Sequence, residues 1–128
     1  MADKKKILIV DDEKNFCYLV KKNLALTKKY KVMVAKAGSI GMLLSRLRWH
    51  KPDLILLDVS MPGLDGFEVL RRLKKDPKTS KIPVVMLTVR DDSRAKKKAQ
   101  DLKCDDYLIK PVSVDTLVSC IESLTNRE

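Results

Sequence analysis

The sequence predicts a doubly wound α/β domain, in which a parallel sheet carries helices on both faces. Three continuous apolar runs support this prediction, namely Ile7–Val10, Leu54–Leu57 and Val84–Leu87. Runs of this length are typical of strands that are buried on both faces, as in a parallel sheet. Stretches of helical spacing separate them, and strands that alternate with helices are joined by right-handed crossovers. The 128 residues are sufficient for one such domain.

The remaining elements complete five strand–helix repeats. Two shorter strands are predicted around Val32 and Val34 and over Tyr107–Ile109. Helical spacing of apolar residues appears in four stretches: Phe16, Leu19, Val20 and Leu24; Met42, Leu43 and Leu47; Leu70 and Leu73; and Leu117, Ile121 and Leu124. A further helix, the fourth in order, is predicted over residues 92–103. It offers the core only Ala95, Ala99 and Leu102, so it is predicted to be a moving part.

Composition and charge exclude some classes of protein. Hydrophobic residues make up 45% of the chain, and no apolar run approaches the roughly 20 residues of a membrane-spanning helix. The net charge is +10, but the basic residues are distributed along the whole chain and few aromatic residues are available to stack on bases. Direct nucleic-acid binding is therefore not favoured, whereas the charge favours acidic partners.

The three cysteines, Cys17, Cys104 and Cys120, have no metal-binding spacing and lie in or beside apolar patterns. We interpret them as buried thiols of a protein from a reducing compartment. The basic N-terminus is followed by an apolar run that is too short for a signal peptide. The expected location is therefore the cytoplasm.

Polar residues follow the ends of four predicted strands. Asp11 and Asp12 follow the first strand, Asp58 the third, Thr88 the fourth and Lys110 the fifth. Because ligands bind beyond the carboxyl ends of such strands, these side chains are expected to converge. Clustered carboxylates favour a hard cation such as Mg²⁺, and a carboxylate on a separate strand can attack a phosphoryl group. Asp58 is therefore the candidate nucleophile, and Asp11 and Asp12 are the candidate metal ligands. Thr88 and Lys110 are the candidate partners of the phosphoryl oxygens.

Five segments, in register along the chain, match one known pattern. They are Ile-Leu-Ile-Val-Asp-Asp-Glu at 7–13, Pro-Asp-Leu-Ile-Leu-Leu-Asp at 52–58, Met-Pro-Gly-Leu-Asp-Gly-Phe-Glu at 61–68, Ile-Pro-Val-Val-Met-Leu-Thr at 82–88 and Asp-Asp-Tyr-Leu-Ile-Lys-Pro at 105–111. The chain thus resembles the receiver domains of bacterial two-component response regulators, of the chemotaxis-regulator type. The resemblance implies a flavodoxin-like strand order, 2-1-3-4-5, and one phosphoacceptor domain over residues 1–128.

The resemblance implies a role for each acidic residue of the site. Asp58 would accept the phosphoryl group and also ligate the metal. Asp12 would bind Mg²⁺ directly and Asp11 mostly through water, while the backbone carbonyl of Ser60 would be a further ligand. The phosphoryl donor would be a histidine kinase or a phosphotransfer protein. The domain would promote its own phosphorylation and dephosphorylation and would be a signalling protein, not a metabolic enzyme.

The resemblance also implies a switch. Thr88 and Lys110 would contact the phosphoryl group, and the Lys110–Pro111 peptide would be cis. On phosphorylation the Thr88 hydroxyl would move inward and Tyr107 would follow it. The surface of the fourth helix, fifth strand and fifth helix would then change, and a downstream protein target would bind there.

Some residues depart from the family pattern, and others occupy positions that tune dephosphorylation in the family. Val89 replaces a small residue and is expected to narrow access to the site. Lys103 and Cys104 replace the usual Gly-Ala, so a different turn is expected there. Ser60 and Arg90 lie two residues beyond the acceptor and the threonine, at positions that tune dephosphorylation in the family.

Three other functions share parts of this pattern. A pseudo-receiver would keep the fold without phosphorylation and would not bind Mg²⁺. A flavin-binding protein of the same topology needs a glycine-rich phosphate loop after its first strand. This chain has Asp11 and Asp12 at that place, and their charges would repel a phosphate. An aspartyl-phosphate hydrolase typically has an acidic residue two positions after its nucleophile, and this chain has Ser60 there.

Two kinds of protein fit residues 1–128: a complete single-domain regulator and a receiver from a longer chain. The helix predicted over 113–125 has no basic residue. Many DNA-binding members of the family dimerise through charge pairs of that helix, so this dimer is disfavoured.

Overall fold

Five parallel strands form one sheet in the order β2-β1-β3-β4-β5. The computed structural model describes residues 3–40, 51–61 and 63–126. The strands are β1 (Lys5–Val10), β2 (Tyr30–Ala35), β3 (Leu54–Leu57), β4 (Val84–Thr88) and β5 (Asp106–Ile109). The predicted fold class and strand order are thereby confirmed.

The helices of the described ranges are α1 (Lys14–Leu26), α2 (Gly66–Lys75), α3 (Ser93–Asp101) and α4 (Val114–Thr125). The predicted helix with Met42, Leu43 and Leu47 lies outside the described residues. The helices predicted as fourth and fifth correspond to α3 and α4. Side chains of Asp65, Asp92 and Ser113 accept a hydrogen bond from the first turn of α2, α3 and α4, which stabilises each helix start. None of the helices in the described ranges has the length and apolar character needed to cross a bilayer.

The sheet separates two apolar layers. In β1, Leu8 and Val10 face the layer covered by α2 and α3, whereas Ile7 and Ile9 face the layer covered by α1 and α4. Successive side chains of a strand point to opposite faces, so a strand covered on both faces must be apolar throughout. This explains why the central strands appear in the sequence as continuous apolar runs.

Helix α3 is attached to the core by small side chains. Ala95 and Ala99 are fully buried, Leu102 just after the helix is half-buried, and the other residues of α3 are exposed. A methyl group buries little apolar area, so these contacts stabilise the docked helix less than leucine contacts would. The anchoring residues are those expected from the sequence.

The turn that precedes β5 contains a strained lysine. Lys103 has φ of 69°, in the left-handed region that glycine adopts most readily. The expected departure at Lys103 and Cys104 is therefore a lysine in a backbone conformation that suits glycine. Such a residue costs about 1 kcal/mol relative to glycine.

Candidate functional site

Three carboxylates meet at the carboxyl edge of the sheet. Asp11 and Asp12 follow β1 and Asp58 follows β3, and these parallel strands are neighbours. One carboxylate oxygen from each of the three lies within 4.8 Å of the others. An oxygen-only donor set of this size fits a hard divalent cation such as Mg²⁺. The residues expected from the sequence to hold a metal are thus close enough to share one.

Lys110, which follows β5, brings a positive charge into this cluster. Its Nζ lies 2.7 Å from Oδ2 of Asp11, 3.5 Å from Oδ2 of Asp58 and 3.6 Å from Oε2 of Glu13. Burial lowers the pKa of Lys110, but the hydrogen bond to Asp11 and the three carboxylate charges outweigh burial and raise this pKa above its ordinary value. Lys110 therefore remains a cation at neutral pH. Its peptide bond to Pro111 is cis, as expected.

The Asp11 carboxylate is fixed by bonds to both oxygens. Oδ1 accepts a hydrogen bond of 2.9 Å from the backbone N–H of Glu13, and Oδ2 accepts the bond from Lys110. Burial raises the pKa of Asp11, and these two bonds oppose the effect without cancelling it. Asp12, by contrast, is exposed. Its oxygens are therefore the more accessible ones for a cation.

The backbone of α2 packs closely against the end of β3. Asp58 is buried, and its Oδ1 accepts a hydrogen bond of 3.3 Å from the N–H of Ser60. The N–H of Gly66 donates to the carbonyl of Val59 at 2.9 Å. A Cβ atom at position 66 would lie 2.1 Å from the carbonyl oxygen of Asp58. Only glycine therefore permits this approach, which positions Asp58 against the first turn of α2.

The main chain of Arg90 connects Thr88 to Tyr107. Thr88 is fully buried at the end of β4, and its Oγ1 accepts a hydrogen bond of 3.3 Å from the N–H of Arg90. The hydroxyl of Tyr107, on β5, donates to the carbonyl of Arg90 at 2.7 Å. The guanidinium of Arg90 is bound to Asp92 by two hydrogen bonds. Val89, which was expected to narrow access to the site, is 66% exposed.

The predicted site residues fall into two groups. Asp11, Asp12, Asp58 and Lys110 form one cluster. Thr88 lies at the same edge of the sheet, at the end of β4 beside β3. Its hydroxyl contacts the loop that follows, and its carbonyl accepts a hydrogen bond of 2.8 Å from the N–H of Lys110. The helical spacing of apolar residues indicated that Phe16 packs in the core, but it did not indicate the contact of Phe16 with Lys110. The available signal was its position in the first turn of α1, four residues after Asp12.

Comparisons with known proteins agree on one family. The sequence pattern of the response regulator receiver domain matches residues 7–122. Protein PilH of Pseudomonas aeruginosa is 40% identical over 119 residues, which are 93% of this chain and 96% of PilH. The chain spans only about half the length of several transcriptional regulators that it also matches.

Two solved structures are similar in fold and in sequence. The phosphorylated cyanobacterial phytochrome response regulator RcpA is 32% identical with a TM-score of 0.78, and the match covers 94% of this chain and 91% of RcpA. The Mn²⁺-bound response regulator Rcp1 is 29% identical with a TM-score of 0.77, and the match covers 93% of this chain and 90% of Rcp1.

Proposed function

The chain belongs to the response regulator receiver domain family, and on this basis we propose that it is a phosphorylation-dependent switch of two-component signalling. Asp58 accepts a phosphoryl group from a histidine kinase or a phosphotransfer protein. The observation that carries the proposal is the buried Asp58 carboxylate, grouped with two further carboxylates and the Lys110 ammonium. Within this proposal residues 1–128 act as one phosphoacceptor domain in the cytoplasm.

The chemistry is an in-line transfer between the donor imidazole and a carboxylate. An oxygen of Asp58 forms a bond to phosphorus, the bond from phosphorus to the donor nitrogen breaks, and its electron pair stays on the imidazole. Asp12, Asp58 and the backbone carbonyl of Ser60 would hold a divalent cation directly, and Asp11 mostly through water; the cation would supply positive charge to the phosphoryl oxygens. The Lys110 ammonium lies 3.5 Å from Asp58 and neutralises a further oxygen.

The switch follows from the hydroxyl of Thr88. When the Thr88 hydroxyl moves inward to donate to a phosphoryl oxygen, its Oγ1 moves away from the Arg90 N–H and the bond between them is lost. The loop before α3 then rearranges, and the loop also carries the carbonyl that binds Tyr107. The weakly anchored helix α3 moves with the loop, so the surface formed by α3, β5 and α4 changes and binds a downstream protein target.

Ser60 and Arg90 set the lifetime of the phosphoryl group in this proposal. Both lie in loops that follow site residues, and Ser60 donates its N–H to the acceptor carboxylate. Hydrolysis requires a water molecule in line with the bond from phosphorus to Asp58. Substituting Arg90 by alanine removes its two bonds to Asp92 and frees the loop, so the rate of autodephosphorylation changes. An unchanged rate would show that residue 90 has no tuning role.

The similar structures support the proposal through their bound groups. Rcp1 was solved with Mn²⁺ and RcpA as a phosphorylated protein. Both are similar to this chain over more than nine-tenths of its length. The oxygen-only cluster of Asp11, Asp12 and Asp58 has the donor chemistry for such a divalent ion.

The test is the intact mass after incubation with Mg²⁺ and acetyl phosphate. We expect one added phosphate on the parent chain and none on Asp58→Asn. Asp91→Asn is the matched control, because Asp91 is an exposed carboxylate in the loop after β4 and pairs with Lys96. This control should be phosphorylated like the parent.

A negative result can be interpreted with beryllofluoride, which mimics an aspartyl phosphate. If no mass is added but beryllofluoride with Mg²⁺ raises the melting temperature of the parent and not of Asp58→Asn, the phosphoryl group is accepted but short-lived. If beryllofluoride has no effect either, the chain is a pseudo-receiver and the proposal is wrong.

A further inference from the structure

Many exposed lysines gather at the pole of the sheet opposite Asp58. In the sequence they are dispersed, but each precedes or begins a strand, or ends or follows a helix. All five strands are parallel, so these points meet at one edge. We call this surface the basic pole and define it by exposed residues Lys5, Lys28, Lys31, Lys75, Lys78 and Lys81. The parallel topology thus brings lysines from separate parts of the sequence to one surface.

Contacts at this edge join parts of the chain that are far apart in sequence. The N–H of Lys5, at the start of β1, donates to the carbonyl of Lys29 at 3.1 Å. Lys5 and Lys81 both line a shallow depression that also includes Leu124. The opposite edge carries the acidic cluster of the site. The basic pole and the acidic cluster therefore lie at opposite edges of the sheet, in a chain whose net charge is +10.

The depression itself is not suited to an anionic side chain. Its lining includes Asp53 and Asp105 as well as the two lysines. Asp53 accepts a hydrogen bond of 2.7 Å from the N–H of Lys6, and Asp105 accepts one of 2.8 Å from the N–H of Val84. An acidic peptide inserted there would meet these fixed negative charges. A broad anionic surface, which touches only the outer lysines, avoids them.

We propose that the basic pole docks on the surface of a bilayer that contains anionic lipids. Lysines near such a surface attract it without a shaped pocket. Leu26, the last residue of α1, is 71% exposed and lies two residues before Lys28, so an apolar side chain accompanies the positive charges. An exposed leucine beside lysines offers a lipid surface an apolar contact in addition to charge attraction.

Features that favour nucleic acid are missing from the described part of this pole. The four described helices end here, so the N–H groups that could bind individual phosphates lie at the opposite edge. Arg71 and Arg72, in the second half of α2, both bind Glu68. The exposed large apolar side chains of the described ranges include one aromatic, Tyr18, which lies in the second turn of α1. Within the described ranges, base stacking is therefore not available at the pole.

Docking in this orientation directs the acidic cluster away from the lipid. Asp58 lies at the other edge of the sheet, one strand length from the bilayer. A phosphoryl donor can then reach Asp58 while the chain is bound. The inference does not depend on the proposed phosphorylation, since none of the lysines of the basic pole belongs to the site.

The test is sedimentation of the full chain with vesicles at an ionic strength of about 0.15 M. Mixed vesicles of phosphatidylcholine and phosphatidylglycerol should bind the chain, and vesicles of phosphatidylcholine alone should not. The triple variant Lys5→Gln, Lys31→Gln, Lys81→Gln should bind at least about tenfold more weakly. The matched control is Lys14→Gln, Lys36→Gln, Lys96→Gln, which has the same net charge and alters exposed lysines at the opposite edge of the sheet. It should lose less than about twofold.

Leu26→Ser provides a second variant, and a DNA duplex provides the competing partner. Leu26→Ser should weaken vesicle binding and leave any binding to DNA unchanged. Absence of binding to anionic vesicles, or equal losses in the two triple variants, would overturn the proposal. Tighter binding to the duplex than to anionic vesicles, with no effect of Leu26→Ser on either, would identify the pole as a nucleic-acid surface instead.

Discussion

The ammonium nitrogen of Lys110 lies 4.1 Å from the centroid of the Phe16 ring, so an aromatic face from α1 covers the cation of the site. The other partners of Lys110 are the carboxylates of Asp11, Asp58 and Glu13. The ring attracts the cation through its quadrupole and shields it from water. It does so without binding a hydrogen of the ammonium, which leaves those hydrogens for oxygen acceptors.

Replacing Phe16 by leucine should slow the phosphorylation of Asp58. A contact of this kind contributes about 0.5–2 kcal/mol, so we expect a rate that is roughly two- to thirtyfold lower with acetyl phosphate. Phe16→Tyr retains the aromatic face and should react at close to the parent rate. The measurement is the initial rate of phosphate addition by intact mass. If Phe16→Leu melts at a lower temperature but reacts like the parent, the ring only fills space.

Replacing Gly66 by alanine should damage both the fold and the site. The added methyl group would lie 2.1 Å from the carbonyl oxygen of Asp58 and 2.7 Å from Cα of Val59, and both are backbone atoms. Overpacking of this kind costs about 1–3 kcal/mol, with the larger values expected where backbone must move. Urea unfolding measures the loss, and phosphorylation of the folded fraction should also fall.

Gly63→Ala is the comparison for that experiment. Gly63 has φ of 79° and no atom within 4 Å of an added Cβ, so alanine there meets strain but no clash. We expect a loss of about 1 kcal/mol and normal phosphorylation. Equal effects of the two substitutions would show that close packing at Gly66 does not position Asp58.

Replacing Lys103 by glycine should stabilise the chain. The backbone of Lys103 lies in the left-handed region, where glycine avoids the cost of a Cβ atom. The greater freedom of glycine in the unfolded chain reduces the gain, so we expect about 0.5 kcal/mol in urea unfolding. Lys97→Gly, in the middle of α3, is the control and should destabilise by about 1 kcal/mol. A destabilised Lys103→Gly variant would contradict the interpretation of this turn.

The thiols of Cys17 and Cys120 should react slowly with iodoacetamide at pH 8. Burial raises the pKa of Cys17 to about 11 and, together with a hydrogen bond to Asp106, raises that of Cys120 to about 12. The reactive thiolate is therefore scarce at pH 8. Cys104 is half-buried and should be labelled first. Mass spectrometry of the digested chain identifies the order, and rapid labelling of Cys17 in the native chain would contradict its burial.

Features that depend on local pattern were predictable from the sequence. The central strands are continuous apolar runs because both faces of the sheet are covered, and Leu8 and Ile9 in β1 illustrate the two sides. The convergence of Asp11, Asp58 and Lys110 follows from the direction of parallel strands, which brings their carboxyl ends to one edge.

Features that depend on three-dimensional packing were not predictable. Gly63 has positive φ, whereas Gly66 is required for space, and the sequence does not distinguish these two reasons for a glycine. The contact of Phe16 with Lys110 depends on how closely α1 approaches β5. The basic pole was missed because its lysines are far apart in the sequence, and only the strand order brings them together.

The connection between Thr88 and Tyr107 passes through peptide atoms of residue 90, not through its side chain. Any residue with a backbone N–H can therefore occupy this position and preserve the connection, and proline is the exception. The side chain remains free to vary during evolution. If residue 90 tunes the lifetime of the phosphoryl group as proposed, its side chain could change the duration of a signal without changing the backbone route between Thr88 and Tyr107.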